Sequence, residues 1–476
     1  MICPMSAHRK VRRSLDLISS IILLLFAGVT ISRSQLADSA SGASFEDVSA
    51  QIIKTGLSTG KAYSLLSDLC LKIGHRLSGS PQAAKAVEWG KRMMEEYGFQ
   101  DVHLEPVMVP HWVRGPVEDG WIVRSSGKRI PLKICALGGS VGTPKDGITA
   151  GVVEVTSFEE LRSLGDAAAG KIVFFNRPMD PTKYTTFEAY GGAVNQRGQG
   201  AVEAARSGGI AALVRSMSTR IDDVPHTGAM GYNDSIPKVP SAAVSTRGAD
   251  ILDSLLAKDK QLKVHLNFSC QTLPDAESAD VIGELTGSEK PEEVIVVGGH
   301  LDSWDKGQGA HDDGAGCVQT IEALRILKNL GLHPKRTIRA VLFMNEENGL
   351  RGGTAYASKD RPAETAIAAI ETDAGGFTPR GFGIQADSAV VGRLQRWAPL
   401  FKSIDADRIS RGGGGADISP LGKRGVPTIG LQVDSQRYFD YHHSDSDTID
   451  KVNERELELG ATALAILCYV IAQEGM

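Results

Sequence analysis

Four short apolar runs stand out in the second half of the chain: Val294–Val297, Thr337–Met344, Ala366–Ile370 and Val426–Leu431. Each is short and rich in β-branched residues, the signature of a strand buried on both faces. Each then gives way to polar residues. The first stops at Gly298-Gly299-His300-Leu301-Asp302, the second at Glu346-Glu347, the third at Glu371-Thr372-Asp373, and the fourth leads to the stretch His442–Thr448. Between the first two runs, Gly314–Leu330 carries Val318, Ile321, Leu324 and Leu327 on one helical face and is closed by Gly331 and Pro334. Strands and helices alternating in this way predict an open α/β sheet. Polar groups released at strand C-termini lie where such sheets build their sites.

The flanks are helical. Phe45 to about Leu57 and Ala62–Ile73 read as helices, and Ser80-Pro81 starts another, with Ser as N-cap, Pro at the first position and Gly98 past the end. Ala84, Val87, Met94 and Tyr97 are its predicted apolar face. Asn453 caps a last helix with Glu456 as capping-box partner, and Leu457, Ala461, Leu464 and Cys468 form its stripe. The texture changes after Trp112. Gly151–Val155, Lys171–Phe175 and Ile210–Val214 are short strands with glycine-rich joints, Ala201–Ser207 is helical, and no catalytic cluster falls among them.

The N-terminus is a separate object. Arg9, Lys10, Arg12 and Arg13 precede the apolar run Leu17–Ala27 and then small residues, the order of a secretory signal. The run is shorter than the ~20 residues a membrane span needs. Residues 1–34 are therefore expected to be a signal peptide, with 35–44 a polar linker or short propeptide, and the mature protein to be secreted without stable membrane insertion. The formal net charge of −5 comes with no basic stripe, which disfavours nucleic acid as a partner. Six widely spaced cysteines, one of them in the leader, do not make a disulfide framework.

His300, Asp312, Glu347, Asp373 and His443 are five nitrogen and oxygen ligand types, mostly just past strand ends, and suit zinc or a similar divalent ion. Asp312, Glu347 and Asp373 bring three negative charges into one place, with Asp313 and Glu346 beside them. Crowded buried carboxylates repel and protonate unless cations compensate them. Two Zn²⁺ with a bridging hydroxide neutralise such a core, and a bridging Asp312 would hold them about 3.5–4 Å apart.

With its flanks, this pattern resembles the co-catalytic zinc aminopeptidase/glutamate carboxypeptidase family. The match is carried by Gly298–Asp305, Gly307–Ala310, Asp312-Asp313-Gly314, Glu346-Glu347, Asp373-Ala374-Gly375, and His443-Ser444 with Asp447-Thr448. Gly74–Ser80, His103–Pro106 and Pro110-His111-Trp112 match upstream, so the likeness covers nearly all of the chain after the leader. It implies an α/β fold with a mixed central sheet sandwiched by helices, the zinc exopeptidase fold. That fold is interrupted by an inserted protease-associated domain at about 113–274, leaving 45–112 and 275–476 as the catalytic domain. It implies two Zn²⁺ per chain: His300, Asp312 and Asp373 on one, Asp312, Glu347 and His443 on the other, with Glu346 the general base. Asp302 is expected to orient His300. His442 competes with His443, and the family spacing to Asp447-Thr448 selects His443. His75, His103, His111, His226, His265 and His333 have no ligand spacing, and His311, beside Asp312, is a weak candidate for touching substrate. Relatives often carry Asp-His in the loop Arg411–Asp417; here Ile418 follows Asp417.

The implied activity is exopeptidase hydrolysis of small peptides, dipeptides above all, by a homodimer. A glutaminyl cyclase of similar fold needs only one metal, and an ectodomain that had lost catalysis would have lost ligands. The complete five-residue set argues against both.

Overall fold

The computed structural model of the chain describes residues 44–476; the leader and the linker up to residue 43 lie outside the described residues. The four apolar runs form the middle of an eight-stranded sheet. Across it the strands are Gln100–Val113, Gln271–Leu285, Arg336–Phe343, Lys290–His300, Thr365–Glu371, Thr428–Val433, Pro379–Gln385 and Arg408–Arg411. The central four are parallel, with Val297 opposite Ala340 on one side and Ile370 on the other. Antiparallel strands join on both sides, so the sheet is mixed. All eight side chains of Arg336–Phe343 are buried. A strand covered on both faces can be continuously apolar, which is why the runs were legible.

Helices cover the sheet. Ala315–Asn329 buries every side chain from Ala315 to Leu327 and packs against Glu454–Glu474. The latter is the one helix among the described residues long and apolar enough to cross a membrane, and it lies in the core with Leu457–Cys468 buried almost all round. Asn453 caps it by accepting from the Glu456 N–H at 3.1 Å, but the Glu456 carboxylate accepts from Thr378 Oγ1 at 2.9 Å instead of completing a capping box. The helix Pro81–Glu96 starts as expected, with Ser80 Oγ accepting from Ala83 N at 3.1 Å. Its buried face differs by one position. Ala83, Ala86, Val87, Gly90, Met93 and Met94 point inward, and Ala84 is exposed. Ala83 shares one face with Val87 and Gly90 at helical spacing, and Ala84 lies one position beyond its edge.

A second mixed sheet is built entirely from residues 118–268, in the order Arg129–Pro131, Glu118–Val123, Lys263–Phe268, Ile148–Val155, Ile172–Phe175, Ala211–Arg215, Ser241–Val244 and Ile134–Ala136. The antiparallel pair Gln100–Val113 and Gln271–Leu285 brackets it in sequence. Phe377 and, from the short helix Tyr438–Tyr441, Tyr438, Phe439 and Tyr441 pack in the core of this second sheet. The five described cysteines, Cys70, Cys135, Cys270, Cys317 and Cys468, are buried free thiols.

Candidate metal centre

The strand Lys290–His300 ends on His300, whose Cα lies opposite Phe343 at the end of the neighbouring strand. That register sets His300 beside the turn Met344–Glu347. Gly299 leaves room for the next turn: a Cβ there would lie 2.3 Å from Asp313 Oδ2. The Asp313 carboxylate accepts from His300 N at 3.0 Å and Gly316 N at 2.9 Å, so it ties the strand end to the start of the helix.

Asp312 faces the other way and lies between two imidazoles. Its Oδ1 is 3.2 Å from His300 Nε2 and its Oδ2 is 3.2 Å from His443 Nε2. Asp373 Oδ1 is 3.7 Å from His300 Nε2, and Glu347 Oε2 is 3.0 Å from His443 Nε2. The five residues singled out in the sequence therefore converge as two triads sharing Asp312. Three groups of ligand atoms close enough for one ion, His300–Asp312–Glu347, His300–Asp313–Asp373 and Asp312–His442–His443, overlap these triads. His300 Nε2, Asp312 Oδ2 and Asp373 Oδ1 are buried without a hydrogen-bond partner. Buried polar atoms are almost always partnered, so a donor set left open in this way fits divalent cations.

The electrostatics agree. Burial pushes the Glu346 carboxyl well up; His300 pulls it down, while Asp373, Glu347 and Asp312 raise it further. Glu347 is pushed up to about 7 by burial and by Asp312. Four carboxylates this close need positive charge to remain ionised.

Supporting contacts fix the backbone. Asp447 accepts from His311 N at 2.7 Å and from Asp312 N at 3.1 Å, which aims the shared carboxylate. Arg76 is fully buried and donates to three carbonyls of the following loop, Leu301, Gln308 and Gly309, at 2.5–2.9 Å. Neither role was read from the sequence, although both residues lie in the motifs that carried the resemblance. Asp280 Oδ1 accepts from Met344 N at 2.8 Å.

Asp302 differs from expectation. His300 Nδ1 meets the main-chain carbonyl of Asp302 at 3.0 Å, while the carboxylate is 3.8 Å away. The carboxylate instead accepts from Asn345 N at 2.7 Å and Glu346 N at 3.1 Å. Asp302 thus orients His300 through its backbone and the Glu346 turn through its side chain. The cause is local: Asn345 adopts a left-handed backbone (φ 76°), which turns consecutive N–H groups toward one acceptor.

The remaining histidines sort by partner. His311 packs against both Phe377 and Tyr441, with near-parallel rings at 4.2 and 5.3 Å, accepts from Gly376 N and meets Lys451 O. Burial holds it down at about 4, so it is a neutral structural ring with no exposed surface. His442 stacks on His443 with centroids 3.4 Å apart, and its Nε2 lies 3.7 Å from Asp312 Oδ2, so it too brings a ligand atom close to the shared carboxylate. His226, from the second sheet region, holds the His442 carbonyl through Nδ1 at 2.7 Å, and Thr227 N donates to His443 O at 2.9 Å. Arg197 brings its Nη1 within 3.5 Å of His443 Nδ1. Sequence spacing had no means of finding these, because their partners lie more than 200 residues away.

A cleft of about 720 Å³ opens beside Asp373. Glu371, Arg380 and Arg408 line it from the central sheet, and Tyr184 and Phe187 from the second sheet region. The glycine-rich loop approaches closely here: a Cβ on Gly415 would lie 2.1 Å from the Glu371 carboxyl carbon. Ile418 is buried and donates its N–H to Glu371 Oε2 at 2.9 Å.

Comparison with known proteins gives a consistent picture. Residues 280–467 match the model of peptidase family M28. Carboxypeptidase Q of Bos taurus is 37% identical over 435 residues, covering 90% of each chain, and the Homo sapiens protein matches equally. Among solved structures, a peptidase M28 precursor from Shewanella amazonensis superimposes with a TM-score of 0.86 at 32% identity, over 91% of this chain and 97% of that one. A zinc aminopeptidase from Bacillus subtilis shares the fold, with a TM-score of 0.64 at 20% identity over 88% of this chain and 97% of that one.

Proposed function

The chain belongs to peptidase family M28 with the carboxypeptidase Q proteins as relatives, and from that premise we propose that it is a secreted dinuclear zinc exopeptidase hydrolysing small peptides, dipeptides above all. The observation that carries the reading is the placement of Asp312, whose two oxygens each lie 3.2 Å from a different imidazole. His300, Asp312 and Asp373 would hold one Zn²⁺, and Asp312, Glu347 and His443 the other. When bound, the ion pair supplies an acidified water and polarises the scissile carbonyl.

The protein's own groups do the rest. Glu346 takes the proton of the attacking water and returns it to the leaving amine. The Asp302 carboxylate holds the two N–H groups that aim Glu346. Glu346 and Glu347 open the turn 346–349, in which Glu347 faces His443 while Glu346 serves the water. Residues 113–274 act as an inserted protease-associated domain, a role supported by a self-contained second sheet and by Tyr184 and Phe187 on the cleft. The leader 1–34 directs export, and the working unit is a homodimer.

The test is a dipeptide library with N-blocked and C-blocked controls, run beside elemental analysis of gently purified protein. Turnover of free dipeptides with close to two zinc ions per chain is expected. A fully active protein with a stable content of one ion, or one inert toward every dipeptide, contradicts the reading.

A further inference from the structure

Arg197 lies on the helix Asn195–Arg206 of the second sheet region, far in sequence from every proposed ligand. Its side chain is buried, with Nη2 on the Tyr190 hydroxyl at 2.6 Å, the guanidinium 5.4 Å from the Tyr190 ring centre, and Nε without a partner. Nη1 points at His443 Nδ1 from 3.5 Å. Gly228 gives it room, since a Cβ there would lie 2.5 Å from the guanidinium.

A neutral imidazole has one lone pair to give. If Nε2 holds an ion, Nδ1 carries the proton, and its proper partner is an acceptor. His300 meets that condition, with the Asp302 carbonyl 3.0 Å from Nδ1. At His443 the group behind Nδ1 is a guanidinium, which only donates. Arg197 favours the lone pair on Nδ1 and the proton on Nε2, the tautomer that cannot ligate. Loading an ion at Nε2 moves the proton to Nδ1 and sets donor against donor across the 3.5 Å contact, with the guanidinium already tied to the Tyr190 hydroxyl. Its positive charge also draws electron density from the ring.

Resting on the dinuclear reading above, we infer that Arg197 is a positioning residue that weakens the ion held by Asp312, Glu347 and His443. The two positions therefore load in order, the His300 position first. The second sheet region thereby adjusts the metal centre as well as walling the cleft.

The test is a Zn²⁺ titration of chelator-stripped full-length protein against a chromophoric chelator. The wild type should fill in two separated steps. Arg197→Met should tighten the second step by about tenfold, the lower end of what a residue behind a ligand contributes, and leave the first unchanged. Arg197→Lys, keeping a cation but only as a point charge, should fall between the two. Melting of the metal-free variants reports folding separately. If the wild type binds a single ion, the dinuclear reading fails and the inference with it. If two ions bind and Arg197→Met leaves both affinities unchanged, or weakens the second, the inference alone fails.

Discussion

His300 and His443 each approach one oxygen of Asp312 at 3.2 Å, yet they are held by different means. His300 is the last residue of a central parallel strand, registered against Phe343, and its Nδ1 rests on a carbonyl two residues away. Its main chain is held by Asp313, which accepts from its N–H, and by the Cys317 thiol on the following helix, 3.0 Å from its carbonyl. His443 sits in an irregular turn with a left-handed backbone (φ 61°), a conformation costing a non-glycine residue about 1–3 kcal/mol unless its surroundings impose it. Here they are Thr227, His226 and Arg197, all from the second sheet region. One half of the centre is thus a product of sheet geometry and the other of packing between distant segments. A two-ion site can in this way have one rigid and one adjustable position.

The largest expected effect removes what the halves share. Asp312→Ala should leave less than about one ion per chain, because both triads lose a ligand, and activity should drop to background. If elemental analysis still finds two ions, Asp312 is not the bridge. Next comes the base, which belongs to neither half. Glu346→Gln should slow hydrolysis by roughly 10²–10⁴, about 3–5 kcal/mol of barrier, with metal content unchanged. Loss of an ion would instead make Glu346 a ligand.

The halves are separated by a mirrored pair. Asp373→Asn should weaken the ion on His300, and Glu347→Gln the ion on His443, with excess zinc partly restoring the second variant. If the same ion is lost in both, the division into two triads is wrong. A smaller effect sharpens the His300 side. Asp302→Asn keeps the carbonyl on His300 Nδ1 but weakens two bonds to the Glu346 turn, so kcat should fall roughly tenfold, the scale of one charge-assisted hydrogen bond, with zinc affinity unchanged. A matching fall in affinity would show that the carboxylate acts on His300 after all.

The last prediction concerns stability on the His443 side. His226 is fully buried, and burial holds it down at about 4, opposed by its bond to the His442 carbonyl. Above pH 6.5 the ring is neutral folded or unfolded, and its contribution is complete. As pH falls from 6.5 toward 4 the unfolded chain takes up a proton that the native state refuses, so stability declines by roughly 3 kcal/mol over that window. His226→Asn should make the acid limb of a denaturation-versus-pH curve shallower by about one proton. An unchanged slope would mean that the ring is already charged in the native state.

The central half was legible because its information is local. A strand buried on both faces reads as a mainly apolar run, and its break into polar residues marks its end, so the order of runs and breaks carried His300, Glu347 and Asp373 directly. Their flanks, matched to a known family, selected Asp312 and His443 as well. The sequence alone therefore determined the α/β class, the five convergent residues and the candidate base. It misplaced Ala84 and the Asp302 carboxylate because a one-position shift of a helix face, or the choice between a residue's own carbonyl and its side chain, depends on backbone angles that residue types barely constrain. Only the tertiary structure decided that Arg76 and Asp447 fix the loops, that His311 is buried against two rings, and that Arg197, His226 and Thr227 clasp the His443 turn. These are contacts between residues far apart in sequence. Such pairings leave no periodic trace along the chain, because any buried polar group can be satisfied by whichever segment the fold brings to it.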